Sequence, residues 1–579
     1  MRSLRRVFLP DKGPIIFCTL LLVTIFGLLM VRLYFLQVLR YDEYCSIKQD
    51  QNVVVRKIEP ERGEIYDRNG KELAVSIEVP SVGVDSNMIS GLYTEQELAN
   101  NLGIELAEVL DMDESLVLRR IKSGRKFIWL KRQVDENIAK RIRDLDIKGV
   151  VFKKEGKRFY PLGKLASQVM GFVNIDHEGS EGIERFLNKD FHGEMIQMVG
   201  ERDGKGRFIL KDDKAYKNPP KGNSIFLTID SKIQYFVERE LEQVCKKYNA
   251  KGGTIIVQET STGEILAMAN WPTFDPNNIT EETQGFIKNR AVTDVYEPGS
   301  TFKIITAAAA LEEGLVTRED KIFCEEGRYV FAGKPIRDHE KQGWLTFKEV
   351  IEKSSNIGVA KVSEKLGKEK MFSYVTNFGF GSKTKIQLPF EADGFLKNPR
   401  NWSKISLSRI SFGQEISVTP LQMVSAVSAV GNRGKLMHPY IIKFRKDKKG
   451  NIIEEFSPQL RRRVISENTA LILNDILKGV VENGTGKAAA VEGYAVAGKT
   501  GTAQKYDPEI GTYSPDKHVS SFVGYLPADN PRVTILVIVD EPQEIHWGSA
   551  VCAPAFASIA KEIMRYLNIS PELDLVMAK

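Results

Sequence analysis

The sequence predicts an α/β protein built from a single transmembrane helix, a β-rich α+β domain and a larger α/β domain. Three observations predict it. One long apolar stretch lies near the N-terminus. About 180 residues of short β-rich runs and charged helical stretches follow it. The remainder opens and closes on strand patterns around a helix-rich middle, the signature of a sheet whose strands are discontinuous in sequence. At 579 residues the chain is too long for one ordinary core.

Residues Ile15 to Val31 form an uncharged run of 17, and apolar character resumes after Arg32 as far as Leu39. A helix over 15–39 is long enough to span a bilayer. Arg2, Arg5, Arg6 and Lys12 precede it. The positive-inside rule therefore puts the tail, residues 1–14, in the cytoplasm and everything after Leu39 on the other side. A cleaved signal peptide would have a shorter apolar core and end in small residues, whereas this run exits into Arg32-Leu33-Tyr34-Phe35. A retained anchor is expected.

Residues 40–217 are expected to form the first exported domain. Asp67-Arg68-Asn69-Gly70 between apolar alternations predicts a tight hairpin, and Asp135 to Leu145 a helix. Pro219 and Pro220 mark a junction, so the second domain is expected over 218–579. It should begin with a strand from Ser224 and a helix capped by Asp230, then a hairpin turned at Ser261-Thr262-Gly263. Strands Val519–Tyr525 and Arg532–Val539 and a helix near Pro554–Leu567 should close it.

Composition narrows the function. Hydrophobic residues make up 42% and charged residues 27%, as in globular proteins. A net charge of +6 from 82 basic and 76 acidic residues is too thin for nucleic acid, and Lys446 to Asn451 reads as a solvated hairpin tip. The six histidines and five cysteines are scattered without metal-site spacing. Cys18 lies in the apolar run. Cys45, Cys245, Cys324 and Cys552 allow three disulfide pairings, and spacing does not choose among them.

Three short motifs carry chemistry. Ser300-Thr301-Phe302-Lys303 follows Pro298-Gly299 and opens the helix-forming run Ile304 to Leu311. The i, i+3 spacing puts Lys303 on the face of Ser300. A serine is a poor nucleophile until a base takes its proton, and a lysine can be that base only if its pKa falls. Ser354-Ser355-Asn356 offers a hydroxyl to relay a proton and an amide for a substrate backbone. Lys499-Thr500-Gly501-Thr502 reads as a strand with a bare glycine, to which an extended peptide can pair. Lys499 and the threonine hydroxyls would hold a carboxylate, and Lys499 would lower the pKa of Lys303 by like-charge repulsion.

The order and separations of these motifs, 54 and then 145 residues apart, resemble the penicillin-binding proteins and serine β-lactamases. Their surroundings resemble a class B penicillin-binding protein: Asn289-Arg290-Ala291, Glu297-Pro298-Gly299, Ser411-Phe412-Gly413-Gln414 and Ser521-Phe522-Val523-Gly524-Tyr525. In the first exported domain, Arg62 to Gly70, Arg158-Phe159-Tyr160-Pro161 and Gly182-Ile183-Glu184 resemble the motifs that tie the family's non-catalytic pedestal together and to its catalytic domain. Leu73-Ala74-Val75-Ser76 resembles the division-type, FtsI-like branch.

The resemblance implies a penicillin-binding, β-lactamase-like transpeptidase domain with a central antiparallel sheet flanked by helices. It implies a peptidoglycan D,D-transpeptidase in which Ser300 attacks D-Ala-D-Ala, Lys303 is the base and Ser354 shuttles a proton. The backbone N–H groups of Ser300 and Thr502 would form the oxyanion hole, while Asn356, Lys499, Thr500 and Gly501 bind substrate. It implies β-lactams as inhibitors, no metal or cofactor, and a membrane glycosyltransferase of the FtsW type as partner. An elongation-type transpeptidase, a D,D-carboxypeptidase, a β-lactamase or β-lactam sensor and a non-catalytic division scaffold are the alternatives.

Overall fold

The computed structural model describes residues 12–58, 60–98, 102–192, 196–202, 208–210 and 221–571. The tail before Lys12 and the junction at Pro219 and Pro220 lie outside the described residues. The chain divides into two compact units, Met1–Pro60 with Glu194–Pro220, and Glu61–Gly193 with Lys221–Lys579. The interval 40–217 thus contributes to both.

The first unit contains the apolar helix Gly13–Tyr34, continued by a π-turn over Phe35–Leu39. Its 27 residues reach about 40 Å at 1.5 Å per residue, enough to cross a bilayer. It is the only such helix among the described residues. The helix Tyr41–Asn52 and an antiparallel sheet of Val53–Ile58, Ile196–Arg202 and Phe208–Leu210 complete this unit.

In the second unit the interval expected as pedestal and the one expected as transpeptidase domain share one sheet. Ile65–Tyr66 turns at Asp67–Gly70, as expected, into Glu72–Val84, which pairs with Ile128–Lys131 and Val150–Phe159. Gly70 takes φ +87°, a value favouring glycine. On its other side Ile65–Tyr66 pairs in parallel with Ser224–Leu227, and that strand with Ile442–Lys446. The three pedestal motifs converge on one carboxylate. Glu184 Oε2 accepts from Arg62 Nε and Oε1 from Arg158 Nε, both at 2.6 Å, and all three side chains are buried. Both guanidiniums also lie over the Phe191 ring. Asn69 donates to Asp230, Ser231 N donates to Asp67, and Arg68 pairs with Glu264, so the same turn grips the part of the chain after Lys221.

Beyond Ser224–Leu227 comes helix α1 (Ser231–Lys247), whose N-cap Asp230 accepts from Lys232 N and Ile233 N. Strands β1 (Gly252–Glu259) and β2 (Ile265–Trp271) form the expected hairpin. Later come helices α2 (Lys303–Glu312), α3 (Asn356–Leu366) and α4 (Glu467–Glu482), then strands β3 (Ala497–Asp507), β4 (Thr512–Leu526) and β5 (Val533–Asp540). Helix α5 (Gly548–Tyr566) closes the fold. The five strands form an antiparallel sheet in the order β2-β1-β5-β4-β3.

Both faces of this sheet are covered. Ile255 and Val257 of β1, with Val537 and Val539 of β5, pack among Ile233, Val237 and Leu241 of α1 and Phe556 and Ile559 of α5. The alternate residues Ile256, Leu536 and Ile538 enter the opposite core, with Ile304 and Ile305 of α2. Period-two alternation therefore feeds two cores, which is why these strands read as continuous apolar runs. Helix α2 is buried along nearly its whole length, consistent with its Ile-Ile-Thr-Ala-Ala-Ala-Ala sequence. The cysteines that sequence left unpaired are free thiols, and Cys245, Cys324 and Cys552 are buried.

Candidate active site

Gly299–Phe302 is a single 3₁₀ turn that runs into α2, so Ser300 sits at the entrance of a buried helix. Gly299 takes φ +55° there, and its N–H donates to the carbonyl of Gly413, from the Ser411–Gln414 motif. A Cβ on Gly299 would lie 3.2 Å from the Thr502 carbonyl, so the Ser300 turn lies against β3. Ser300, Ser354, Asn356, Thr500, Gly501 and Thr502 line one cavity of about 680 Å³. The structure thus gathers the three motifs into a single cleft.

Two lysines lie beneath its floor. Lys303 and Lys499 are both fully buried. Lys303 Nζ donates to Ser354 O at 2.5 Å and to Ser354 Oγ at 3.1 Å, and Lys499 Nζ reaches the same Oγ at 2.9 Å. The Ser354 hydroxyl therefore stands between two lysine nitrogens. It is held there by a backbone at φ +60°, a conformation seldom taken by serine. Burial pushes Lys303 down to about 7, and the nearby Asp338 carboxylate opposes the fall. Burial also pushes Lys499 well below the ordinary lysine range, and the charge of Lys303 pushes it further.

This differs from the sequence reading in two respects. Burial is the cause of the Lys303 shift, and like-charge repulsion falls on Lys499. Lys499 also does not line the cavity, since its ammonium is spent on Ser354 Oγ and Thr500 O. The groups that face the cleft from β3 are Thr500, bonded to Thr485, and Thr502, whose Oγ1 accepts from Gly548 N. Gly501 is needed for close approach, because a Cβ there would meet Ser521 Oγ at 2.5 Å and Pro298 O at 3.1 Å. Asn356 Nδ2 donates to Arg337 O.

Sequence reasoning missed Asp338. It follows the hairpin Arg328–Phe331/Lys334–Arg337 and accepts from Ser355 Oγ (2.5 Å), Asn356 N (2.5 Å) and Ile357 N (3.1 Å). Its carboxylate thus sits at the N-terminus of α3 and fixes the Ser354–Asn356 turn. It also missed an aromatic wall. His518 and His546 stack at 3.9 Å, His546 lies 4.9 Å from Trp547, and His339 lies 4.7 Å from Trp547. His339 and Trp547 line the cleft. No spacing in the sequence joins positions 339, 518 and 546. Glu297, by contrast, belongs to the Glu297-Pro298-Gly299 motif; it accepts from Tyr513 OH and Glu415 N, and burial raises its pKa.

Chemically, a fully buried lysine that is half neutral near pH 7 can accept a proton, and a hydroxyl between two lysine nitrogens can pass one on. The penicillin-binding protein transpeptidase domain model matches residues 253–565, and the penicillin-binding protein dimerisation domain model matches residues 57–227. The chain belongs to the class B penicillin-binding proteins. Stage V sporulation protein D of Bacillus subtilis (strain 168) is 36% identical over 98% of this chain and 88% of its own. Peptidoglycan D,D-transpeptidase FtsI of Escherichia coli (strain K12) is 32% identical over 94% of this chain and 90% of its own. Among solved structures, penicillin binding protein 3 of Mycobacterium tuberculosis complexed with aztreonam is 28% identical, with a TM-score of 0.69. That match covers 90% of this chain and 98% of that one. In this penicillin-binding protein the matched transpeptidase domain contains all three motifs, and the matched dimerisation domain contains the Arg62–Arg158–Glu184 cluster.

Proposed function

We propose that this protein is a peptidoglycan D,D-transpeptidase that acylates Ser300. The observation that carries the reading is the pair of buried lysines on one hydroxyl beneath a serine at a helix entrance. In this reading a donor stem pairs along β3, with its terminal carboxylate at Thr500 and Thr502 and its scissile carbonyl between the N–H groups of Ser300 and Thr502. Lys499, bonded to Ser354 Oγ and Thr500 O, backs the carboxylate site from behind Thr500, Gly501 lets the backbone approach, and Asn356 accepts the stem's amide. Lys303 takes the proton as Ser300 Oγ bonds to the carbonyl carbon. Ser354 relays that proton to the nitrogen of the departing D-alanine, and an amine of a second stem then takes the acyl group. β-Lactams follow the first half of the same path.

The anchor holds the catalytic part outside the cytoplasmic membrane, with the tail 1–14 inside, 40–217 as pedestal and 218–579 as transpeptidase domain. The basic residues before the anchor support this orientation. The E. coli relative bears a division name, which supports a role at the septum beside an FtsW-type glycosyltransferase. The test is an assay with purified donor and acceptor stems. Cross-linked product with D-alanine release is expected. Release without cross-linking would make the protein a carboxypeptidase, and a fluorescent fusion spread along the lateral wall would exclude the septal role.

A further inference from the structure

A second cavity, of about 290 Å³, opens beside the cleft, and Asn356 contributes to the walls of both. Three cations line it, Lys334, Arg337 and Arg409, and no carboxylate does. The neighbouring cavities are mixed: the catalytic cleft sets Asp338 and Glu340 against Lys353. The space behind Ala503 and Lys505 balances its three cations with Asp294, Glu297 and Asp540. Arg409 lies 3.5 Å from Glu415. Among the described residues Lys334 and Arg337 make no ion pair, and the Arg337 carbonyl, by accepting from Asn356 Nδ2, fixes this hairpin to the catalytic motif.

The path of the substrate leads into this space. Thr500, Thr502 and Gln504 are alternate residues of β3 and share a face, each step covering about 7 Å. A donor antiparallel to β3, with its carboxylate at Thr500 and Thr502, rises about 3.4 Å per residue, so the residue preceding D-Ala-D-Ala lies about 7 Å farther along, beside Ala503, from which its side chain reaches Gln504. Gln504 lines the cationic cavity.

We propose that this cavity receives the side chain of the residue preceding D-Ala-D-Ala and selects one that ends in a carboxylate. The inference rests on the donor path of the preceding subsection. A diamino acid whose distal carbon bears both ammonium and carboxylate enters with no net charge, and its carboxylate meets Arg337 and Lys334. The carboxamide form has the same shape but enters as a cation among cations, which like-charge repulsion disfavours.

Two synthetic donor stems, identical except for that distal carboxylate or carboxamide, test this by kcat/KM for D-alanine release. The wild type should prefer the carboxylate by about tenfold, the scale of one solvent-facing charge-assisted hydrogen bond. In the double variant Arg337→Ala, Lys334→Ala the ratio should fall towards one. Equal use of both donors by the wild type overturns the proposal, as does a double variant that slows both donors alike and keeps the ratio. Failure of the underlying reading looks different: the wild type then releases D-alanine from neither stem, and both proposals fall.

Discussion

Replacing Asp338 by asparagine isolates one electrostatic contribution to Lys303. At the ordinary lysine pKa of 10.5, only about one molecule in 3,000 would have Lys303 neutral at pH 7; at about 7, half do. Acylation that needs neutral Lys303 should rise about tenfold per pH unit below 7 and level off above it. The Asp338 carboxylate favours the charged lysine, so removing its charge lowers the pKa further. A nearby opposite charge is worth about one unit or more, about 1.4 kcal/mol per unit. The substituted side chain would retain an amide oxygen as acceptor for the N–H groups of Asn356 and Ile357, and Ser355 Oγ retains Cys324 Sγ as a partner at 3.4 Å. Second-order acylation by a chromogenic cephalosporin, followed by stopped flow from pH 5 to 9, should inflect near 7 in the wild type. Asp338→Asn should inflect about one unit lower and react about fivefold faster than wild type at pH 6. An inflection that stays at 7 or moves up would refute the electrostatic reasoning.

Three further outcomes follow from other contacts. Glu184→Gln leaves the buried Arg62 and Arg158 without their shared carboxylate and should destabilise by about 3–5 kcal/mol; a Tm within a degree of wild type would contradict this. Gly501→Ala pushes β3 from the nucleophile turn and should slow acylation about a hundredfold, since misplacement near 1 Å costs that much. A rate within threefold of wild type would show that the strand has room to give. Ser354→Ala removes the hydroxyl between the two lysines and should also cost about a hundredfold in acylation; an unchanged rate would remove Ser354 from the proton path.

Local signals were legible wherever the physics is local. The anchor needed only a count of apolar residues. Asp230 announced a helix because an N-cap acts within three residues, and Asp67–Gly70 announced a hairpin because glycine alone tolerates that φ cheaply. The three motifs around Ser300, Ser354 and Lys499 were legible because fixed spacing on a helix face or strand brings functional groups together. Long-range facts were not. Asp338 sits in Arg337-Asp338-His339-Glu340, where nothing distinguishes it from a solvated turn until α3 places its N-terminus against it. That Lys499 lies under the cleft floor rather than in it depends on how deeply β3 is buried. The sheet shared by pedestal and catalytic part rests on a two-residue strand, Ile65–Tyr66, too short to reveal its second neighbour.

Ser300 remains the centre of the proposed chemistry, and one measurement reaches it directly. The full-length protein, incubated with benzylpenicillin, digested and analysed by mass spectrometry, should yield a single penicilloyl adduct on the peptide containing Ser300. Ser300→Ala should yield none while keeping the wild-type Tm. An adduct on another residue, or equal labelling of Ser300→Ala, would contradict the assignment of the nucleophile.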